Sequence, residues 1–123
     1  MIISGTQHII DIKDLEKYTK YAGCSRSDKH VKMFWKVLKL MSEDNKSKLL
    51  KFATSCSRPP LFGFRNLQPP FTIQKITISH DEDKLPSAST CFNILKIPTY
   101  SGWKILKRKL EYAINSQSGF ELT

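Results

Sequence analysis

The chain has 123 residues, 40% hydrophobic and 25% charged, which suits one compact domain with a real core. No apolar run approaches the ~20 residues of a membrane span, and residues 1–5 lack the features of a secretory signal, so no membrane partner is expected. Cys24, Cys56 and Cys91 lie far apart without a CxxC pair. This spacing argues against a zinc site and favours reduced thiols in the cytoplasm or nucleus.

The net charge of +9 comes from 20 basic and 11 acidic residues. Lys29, Lys32, Lys36 and Lys39 recur every three or four positions opposite an apolar stripe, as expected for the solvated face of a helix. No RNP-like, zinc-finger or Gly-rich phosphate motif accompanies them, so no nucleic-acid partner is expected. A non-catalytic basic module that binds nucleic acid or protein remains the alternative function.

The first half of the chain predicts three helices. Asp11 can cap a short helix that ends before Gly23, with Ile12, Leu15 and Tyr18 facing inward. Ser42 is a candidate cap for a third helix, which the prolines after Arg58 terminate. The second and third helices are expected to bury large apolar side chains: Val31, Phe34, Trp35, Leu38 and Met41 in one, and Leu49, Phe52 and Ala53 in the other.

The second half predicts two strands and a helix. Residues 71–79 favour a strand. Its apolar residues, Phe71, Ile73, Ile76 and Ile78, change from odd to even positions partway along, which suggests a bulge near residues 74–75. After a loop over residues 81–89, residues 91–97 form a nearly continuous apolar run that predicts a strand buried on both faces and ended by Pro98. A helix is expected from Ser101 to Gly119. Together these elements predict an α/β (α+β) domain in which several helices pack on a small sheet of three or four strands.

Cys91 lies where a small, polar, turn-forming stretch becomes strand-like, a position that can expose a thiol on firm support. A cysteine protease would need a histidine base, and His8, His30 and His80 are all distant in sequence. A phosphatase would need a Gly-rich anion cradle, which residues 92–96 do not provide. Thioester exchange depends mainly on positioning because its attacking and leaving groups are alike.

The residues around Cys91 resemble the catalytic-cysteine signature of HECT-type ubiquitin ligases. The signature comprises Leu-Pro at 85–86, Ser-Thr-Cys-Phe-Asn at 89–93, then Leu95 and Pro98. The resemblance extends from about residue 5 onward, through Phe-Trp at 34–35, Leu-Lys-Phe at 50–52, the turn at 57–64, the helix at 109–114 and Gly-Phe at 119–120.

The resemblance implies that residues 8–119 form the C-terminal lobe of a HECT domain. Residues 1–7 would be a hinge remnant from an N-terminal lobe, and residues 120–123 a flexible tail. Cys91 would accept ubiquitin as a thioester from a ubiquitin-conjugating enzyme, which binds mainly to the N-terminal lobe, and transfer it to a substrate lysine. Neither a metal nor an organic cofactor is implied, and the lobe is expected to be a monomer that is inefficient alone.

Several neighbours of Cys91 are candidates for shaping the site. Ser89 and Thr90 are either simple turn residues or shape the site, and Phe92 is expected to be core because of its predicted strand position. Asn93 either orients the loop or satisfies buried backbone groups. The resemblance implies that Phe120 supports transfer from the tail.

Other residues raise further questions about the site. Arg58 either ties the third helix to the Cys91 loop or makes a surface ion pair, and Cys24 and Cys56 are expected to be structural. Two departures from the family pattern stand out. Ser89 replaces a histidine that many members carry, and Thr123 replaces a terminal acidic residue.

Overall fold

The computed structural model describes residues 10–54 and 63–120, with side chains described as far as residue 116. Within these ranges the chain forms four α-helices, and none of them has the length and apolarity needed to cross a bilayer. The helices are α1 (Ile12–Tyr18), α2 (Lys29–Leu40), α3 (Glu43–Thr54) and α4 (Trp103–Phe120). The described residues also form short 3₁₀ helices at Phe64–Asn66 and Thr90–Phe92.

Four strands in the described residues form one mixed sheet. They are β1 (Lys20–Ala22), β2 (Thr72–Ile76), β3 (Ser87–Ser89) and β4 (Ile94–Pro98), arranged in the order β1-β2-β4-β3. β1, β2 and β4 run parallel, whereas β3 pairs antiparallel with β4. The predicted α+β class, with a small sheet packed against several helices, is confirmed.

The core lies where the helices pack on the sheet. Most residues of the predicted helix faces are buried, whereas Ile12, Tyr18 and Trp103 are partly buried against the core. Leu95 at the middle of β4 is completely inaccessible. Helix α4 contacts both α2 and α3. Polar side chains cap the amino-terminal ends of the first three helices. Asp11 and Asp28 accept hydrogen bonds from the amides of Asp14 and His30, and Ser42 Oγ accepts from Asn45 N.

The two edge strands were not expected from the sequence. β1 and β3 have three residues each, and their stretches Lys-Tyr-Ala and Ser-Ala-Ser carry little strand propensity. Both strands form because a longer neighbour supplies the pairing: β1 aligns with β2, and β3 aligns with β4. Gly23, with φ +71°, follows β1 and not α1, which already ends at Tyr18.

Three further expectations about the second half were wrong. The bulge near residues 74–75 is not present, because β2 pairs with β4 in one continuous register from Thr72 to Ile76. Ile76 instead lies on the opposite, half-buried face of β2 from Ile73, and beyond the end of the strand the Ile78 amide donates to Thr99 Oγ1. β4 begins at Ile94, three residues later than predicted, and α4 continues one residue beyond Gly119.

The start of α2 is linked to β2 through Asp28. Its Oδ1 accepts from the His30 amide at 2.8 Å, and its Oδ2 pairs with Lys75 Nζ at 2.8 Å. The Lys75 hydrogen bond is the main cause that lowers the Asp28 pKa below its ordinary value. The carboxylate therefore stabilises the fold above the unfolded pKa of ~3.9, and this stabilisation is lost as pH falls through the depressed folded value.

Asp28→Ala is expected to reduce the free energy of unfolding at pH 7 by about 1 kcal/mol, as is usual for a lost N-cap. The difference in unfolding free energy between wild type and Asp28→Ala should shrink as the pH falls below ~4, because the wild-type carboxylate then becomes protonated. Urea unfolding at pH 7 and pH 3 measures both effects. Asp28→Asn is the matched control, since it keeps a capping oxygen and removes only the charge. A deficit that is constant with pH would contradict this assignment.

Candidate active site around Cys91

Cys91 lies in the middle of the 3₁₀ turn Thr90–Phe92, which joins β3 to β4. Its side chain is exposed. The two flanking strands are hydrogen-bonded neighbours, with Ser89 aligned with Ile94. The turn is therefore held at both ends by the same ladder, and the thiol is presented to solvent from a fixed support.

Asn93 controls how the chain leaves this turn. Its backbone is left-handed, with φ 55° and ψ 41°, a conformation that asparagine tolerates better than most residues. The side chain is only 5% exposed, and its Nδ2 donates to the Pro69 carbonyl at 2.6 Å. A carbonyl can only accept, so this contact also fixes which end of the amide faces Pro69.

Backbone hydrogen bonds complete the attachment of the turn. The Asn93 amide donates to the Thr90 carbonyl at 3.3 Å, which closes the 3₁₀ turn. The Asn93 carbonyl accepts from the Thr72 amide at 2.9 Å, which links the turn to the start of β2. Asn93 thus connects the Cys91 turn to the segment before β2 through its side chain and to β2 itself through its backbone. The contact with the Pro69 carbonyl is compatible with both roles considered for Asn93, orientation of the loop and satisfaction of a backbone group.

The segment that enters β3 is held by contacts that the sequence analysis missed. The fully buried Tyr100 donates its hydroxyl to the Lys84 carbonyl at 2.6 Å, and burial raises the Tyr100 pKa above its usual value. Asp81 accepts from the Ser101 amide and hydroxyl at 2.9 and 2.7 Å. These hydrogen bonds lower the Asp81 pKa. A tyrosine two residues after Pro98, which was predicted to end the strand, was the available signal for the first contact.

An apolar groove of about 490 Å³ adjoins the turn. Thr90 borders it, together with residues of the segment leading into β3, and α3 and α4 supply the remaining walls. Two large apolar side chains near Cys91 in sequence are exposed, Leu85 at 44% and Phe92 at 62%. The site therefore combines a free thiol, an adjoining groove and apolar surface, which together could receive an extended peptide.

The predicted site residues have different outcomes. Cys91, Ser89 and Thr90 lie together at the turn, and Asn93 anchors it. The expectation that Phe92 belongs to the core is wrong, because it lies in the exposed turn before β4 begins. Phe120 is the last residue of α4, and its side chain lies outside the described part of the structure. The predictions for Arg58 and Cys56 also lie outside the described residues.

The other described thiol differs from Cys91. Cys24 is half-buried, and its Sγ contacts the carbonyl oxygens of Ala22 at 3.6 Å and Ile73 at 3.7 Å. Burial is the main cause that raises its pKa. Cys24 is therefore less available as a thiolate than an ordinary cysteine.

The two described histidines are engaged elsewhere. His30 Nδ1 lies 3.4 Å from Asp28, and His80 Nδ1 lies 4.0 Å from Asp83. Neither forms a hydrogen bond with Cys91 Sγ. In residues 10–54 and 63–120, no cluster of three or more His, Cys, Asp or Glu side chains could hold a metal ion. The chemistry available at this site is that of an exposed thiol in a fixed position.

The chain belongs to the HECT-domain (ubiquitin-transferase) family, whose model matches residues 1–123. It is 44% identical over 127 residues to the E3 ubiquitin-protein ligase UPL6 of Arabidopsis thaliana, a match covering 100% of this chain and 12% of that protein. It is 40% identical to the human ubiquitin-protein ligase E3B, covering 99% of this chain and 14% of that protein.

A third relative is the E3 ubiquitin-protein ligase HUL5 of Saccharomyces cerevisiae, 42% identical over 100% of this chain and 13% of that protein. The chain thus spans 12% to 14% of the length of these three curated relatives. The resemblance drawn from the Cys91 motif is confirmed at the level of the family. Membership of this family favours ubiquitin transfer over the alternative of a non-catalytic basic module.

Proposed function

We propose that this chain is the ubiquitin-accepting part of a HECT-type ligase and that Cys91 is its catalytic nucleophile. The observation that carries the proposal is the exposed thiol on a turn fixed by Asn93, in a chain of the HECT family. Ser89 and Thr90 hold the entry to the turn, Asn93 holds its exit, and Phe92 offers apolar surface beside the thiol.

In the first step the Cys91 thiolate attacks the thioester carbonyl that joins ubiquitin to a conjugating enzyme. A new S–C bond forms at Cys91, the old S–C bond breaks, and the conjugating enzyme's sulfur leaves as a thiolate that takes up a proton. The two thioesters are alike in energy, so correct placement of the sulfur supplies much of the rate. The groove beside Thr90 offers a route for the extended carboxyl terminus of ubiquitin.

In the second step the amine of a substrate lysine attacks the new thioester. An amide bond forms, the bond between Cys91 Sγ and the ubiquitin carbonyl breaks, and the amine loses a proton as the thiolate leaves. Both steps use only the thiol and its placement, so the reaction needs no metal and no organic cofactor.

The remaining organisation follows the family pattern. We assign residues 8–119 to the C-terminal lobe, residues 1–7 to a hinge remnant and residues 120–123, beginning at the last residue of α4, to a tail. The conjugating enzyme would bind mainly to the N-terminal lobe, and the C-terminal lobe would act as a monomer in the cytoplasm or nucleus. The free thiols of Cys24 and Cys91 are compatible with such a compartment.

The test joins this chain to the N-terminal lobe of a HECT domain and adds activating enzyme, conjugating enzyme and ubiquitin. We expect an adduct larger than the protein by one ubiquitin on non-reducing gels, and its loss after treatment with a thiol reductant. An adduct that resists the reductant from the earliest time point would contradict a thioester intermediate.

Phe120→Ala is expected to leave the Cys91 thioester nearly unchanged and to slow delivery to lysine by about tenfold, since the tail would act only in the second step. Single-turnover discharge of the preformed thioester onto a lysine substrate measures this effect. Tyr112→Ala is the matched control, because Tyr112 is an exposed aromatic residue on the same helix. Equal losses in loading and discharge would refute this division of roles.

A further inference from the structure

A second and larger groove lies on the outer side of α2, with a volume of about 810 Å³. This volume falls within the ~300–1,000 Å³ typical of ligand pockets. The walls are formed by one face of α2, by Glu16 of α1 and by the residues that follow β1. The α2 residues that line it, Lys32, Trp35, Lys36 and Lys39, are spaced as one helix face, and Leu40 extends this face at the end of the helix. We call it the α2 groove.

The α2 groove is far from Cys91 in the fold. β1 lies at the opposite edge of the sheet from β3, which leads into the Cys91 turn. Lys20, Thr72 and Ile94 are aligned across the three parallel strands, so Cys91 precedes their common start. Ser25 and Ser27 line the groove beyond their opposite end. From strand spacings of ~4.8 Å and a rise of ~3.3 Å per residue, the α2 groove and Cys91 are on the order of 20 Å apart.

The charges that line the α2 groove are strongly unbalanced. Four cations, Arg26, Lys32, Lys36 and Lys39, face a single acid, Glu16. The Lys36 ammonium is held 4.4 Å from the centre of the Trp103 ring. In the described part of the chain, Arg26, Lys32 and Lys39 form no ion pair with a carboxylate, whereas Lys46, Lys48, Lys75 and Lys107 do. Three cations of the groove are thus available to an anionic partner.

The groove also has an apolar component. Leu40 is 53% exposed, and it is one of four large hydrophobic side chains that are exposed among the described residues. Trp35 lines the groove but is 4% exposed, and its indole nitrogen donates to Tyr21 Oη at 3.3 Å. A ring this deeply buried cannot stack on nucleobases, which removes the usual platform for binding single-stranded nucleic acid. Its edge and Leu40 can instead pack against one apolar side chain.

We infer that the α2 groove is a docking site for an acidic peptide segment that carries an apolar side chain between its carboxylates. The apolar side chain packs on Leu40 beside the edge of Trp35. The flanking carboxylates pair with Lys32 and Lys39 on the helix and with Arg26 on the opposite wall. Because the groove and Cys91 lie at opposite corners of the sheet, a peptide held there leaves the thiol free. The groove can therefore hold a partner protein while ubiquitin transfer proceeds.

The test uses a fluorescein-labelled hexapeptide with two glutamates on each side of a Leu–Phe pair, titrated with the chain at low salt. We expect a Kd of about 10–100 µM. Two comparison peptides are a version with lysine for glutamate and a version with serine for the Leu–Phe pair. Both should bind at least about fivefold more weakly, because one loses the charge match and the other the apolar contact. Absence of binding up to 1 mM would overturn the inference.

Substitutions locate the binding. The double variant Lys32→Glu with Lys39→Glu should weaken binding by about tenfold. Its matched control is Lys51→Glu with Arg108→Glu, which reverses two exposed charges that do not line the groove and should change Kd less than twofold. Equal weakening in both variants would show attraction by net charge alone and refute the site.

Two further measurements separate the groove from other surfaces. Leu40→Ala should weaken binding by about threefold, and Cys91→Ala should leave it unchanged, so the docking result does not depend on ubiquitin transfer. A single-stranded oligonucleotide should bind more weakly than the hexapeptide. Tighter oligonucleotide binding that the Lys32/Lys39 double variant abolishes would assign the groove to nucleic acid and overturn the peptide inference.

Discussion

Cys91→Ala is expected to abolish the thiol-sensitive ubiquitin adduct, a decrease of at least about a hundredfold, because it removes the nucleophile itself. The fold should be unaffected, since Cys91 is exposed and such substitutions usually change stability by less than ~0.5 kcal/mol. Adduct formation with the N-terminal lobe attached measures the first effect, and urea unfolding of the chain measures the second. Loss of activity without loss of stability is the pattern that identifies a reacting group.

Two variants serve as controls for this experiment. Cys24→Ser should retain adduct formation within about twofold, because the half-buried Cys24 thiol contacts backbone carbonyls and its pKa is raised. Cys91→Ser should load ubiquitin poorly, and any adduct should survive thiol reductants because an oxygen ester is not cleaved by thiol exchange. A thiol-sensitive adduct that persists in Cys91→Ala would assign the reaction to another cysteine and refute the proposed site.

Asn93→Ala is expected to lower the free energy of unfolding by about 2–3 kcal/mol. The half-buried hydrogen bond to the Pro69 carbonyl is lost, at a net cost of ~0.5–1.5 kcal/mol, and alanine in the left-handed backbone costs a further ~1–2 kcal/mol. The turn that carries Cys91 loses its attachment to the segment before β2. Because a displacement of ~1 Å can reduce a reaction rate by about a hundredfold, adduct formation should fall by ten- to a hundredfold even where the chain stays folded.

Asn93→Gly separates the loss of the Pro69 hydrogen bond from the strain of the left-handed backbone. Glycine adopts the left-handed conformation without strain, so this variant loses the hydrogen bond to Pro69 but not the backbone preference. It should be more stable than Asn93→Ala and still load ubiquitin more slowly than wild type. A slower rate in both variants at a temperature where both are fully folded supports the positioning role. If both variants loaded ubiquitin at the wild-type rate, Asn93 would be structural only.

The helices were predictable because their signals are local. α2 shows this most clearly: Val31, Phe34 and Leu38 recur at helical spacing, and all three are buried. The caps of α1 and α3 were equally predictable, because a polar side chain directly before an apolar run satisfies free amides at the helix start. The longer strands β2 and β4 were found for the same reason, although their ends were not.

The edge strands and the contacts around the site required the tertiary structure. β1 and β3 form only because β2 and β4 offer free edges, and three residues of Lys-Tyr-Ala or Ser-Ala-Ser show no periodicity of their own. Phe92 was misplaced because the strand was predicted to begin at Cys91, whereas the left-handed backbone at Asn93 ends the turn and the strand begins only at Ile94. The hydrogen bonds from Asn93 to Pro69 and from Tyr100 to Lys84 span 24 and 16 residues, so no local pattern could reveal them.

The sequence by itself determined the α+β class, the family and the cysteine of interest, because short-range periodicity and a compact motif are written in consecutive residues. Only the tertiary structure decided that the Cys91 thiol is exposed, that Asn93 holds its turn, and that α2 borders a cationic groove at the far corner of the sheet. These properties arise from residues distant in sequence that are brought together by the pairing of β2 with β4 and the packing of the helices on the sheet.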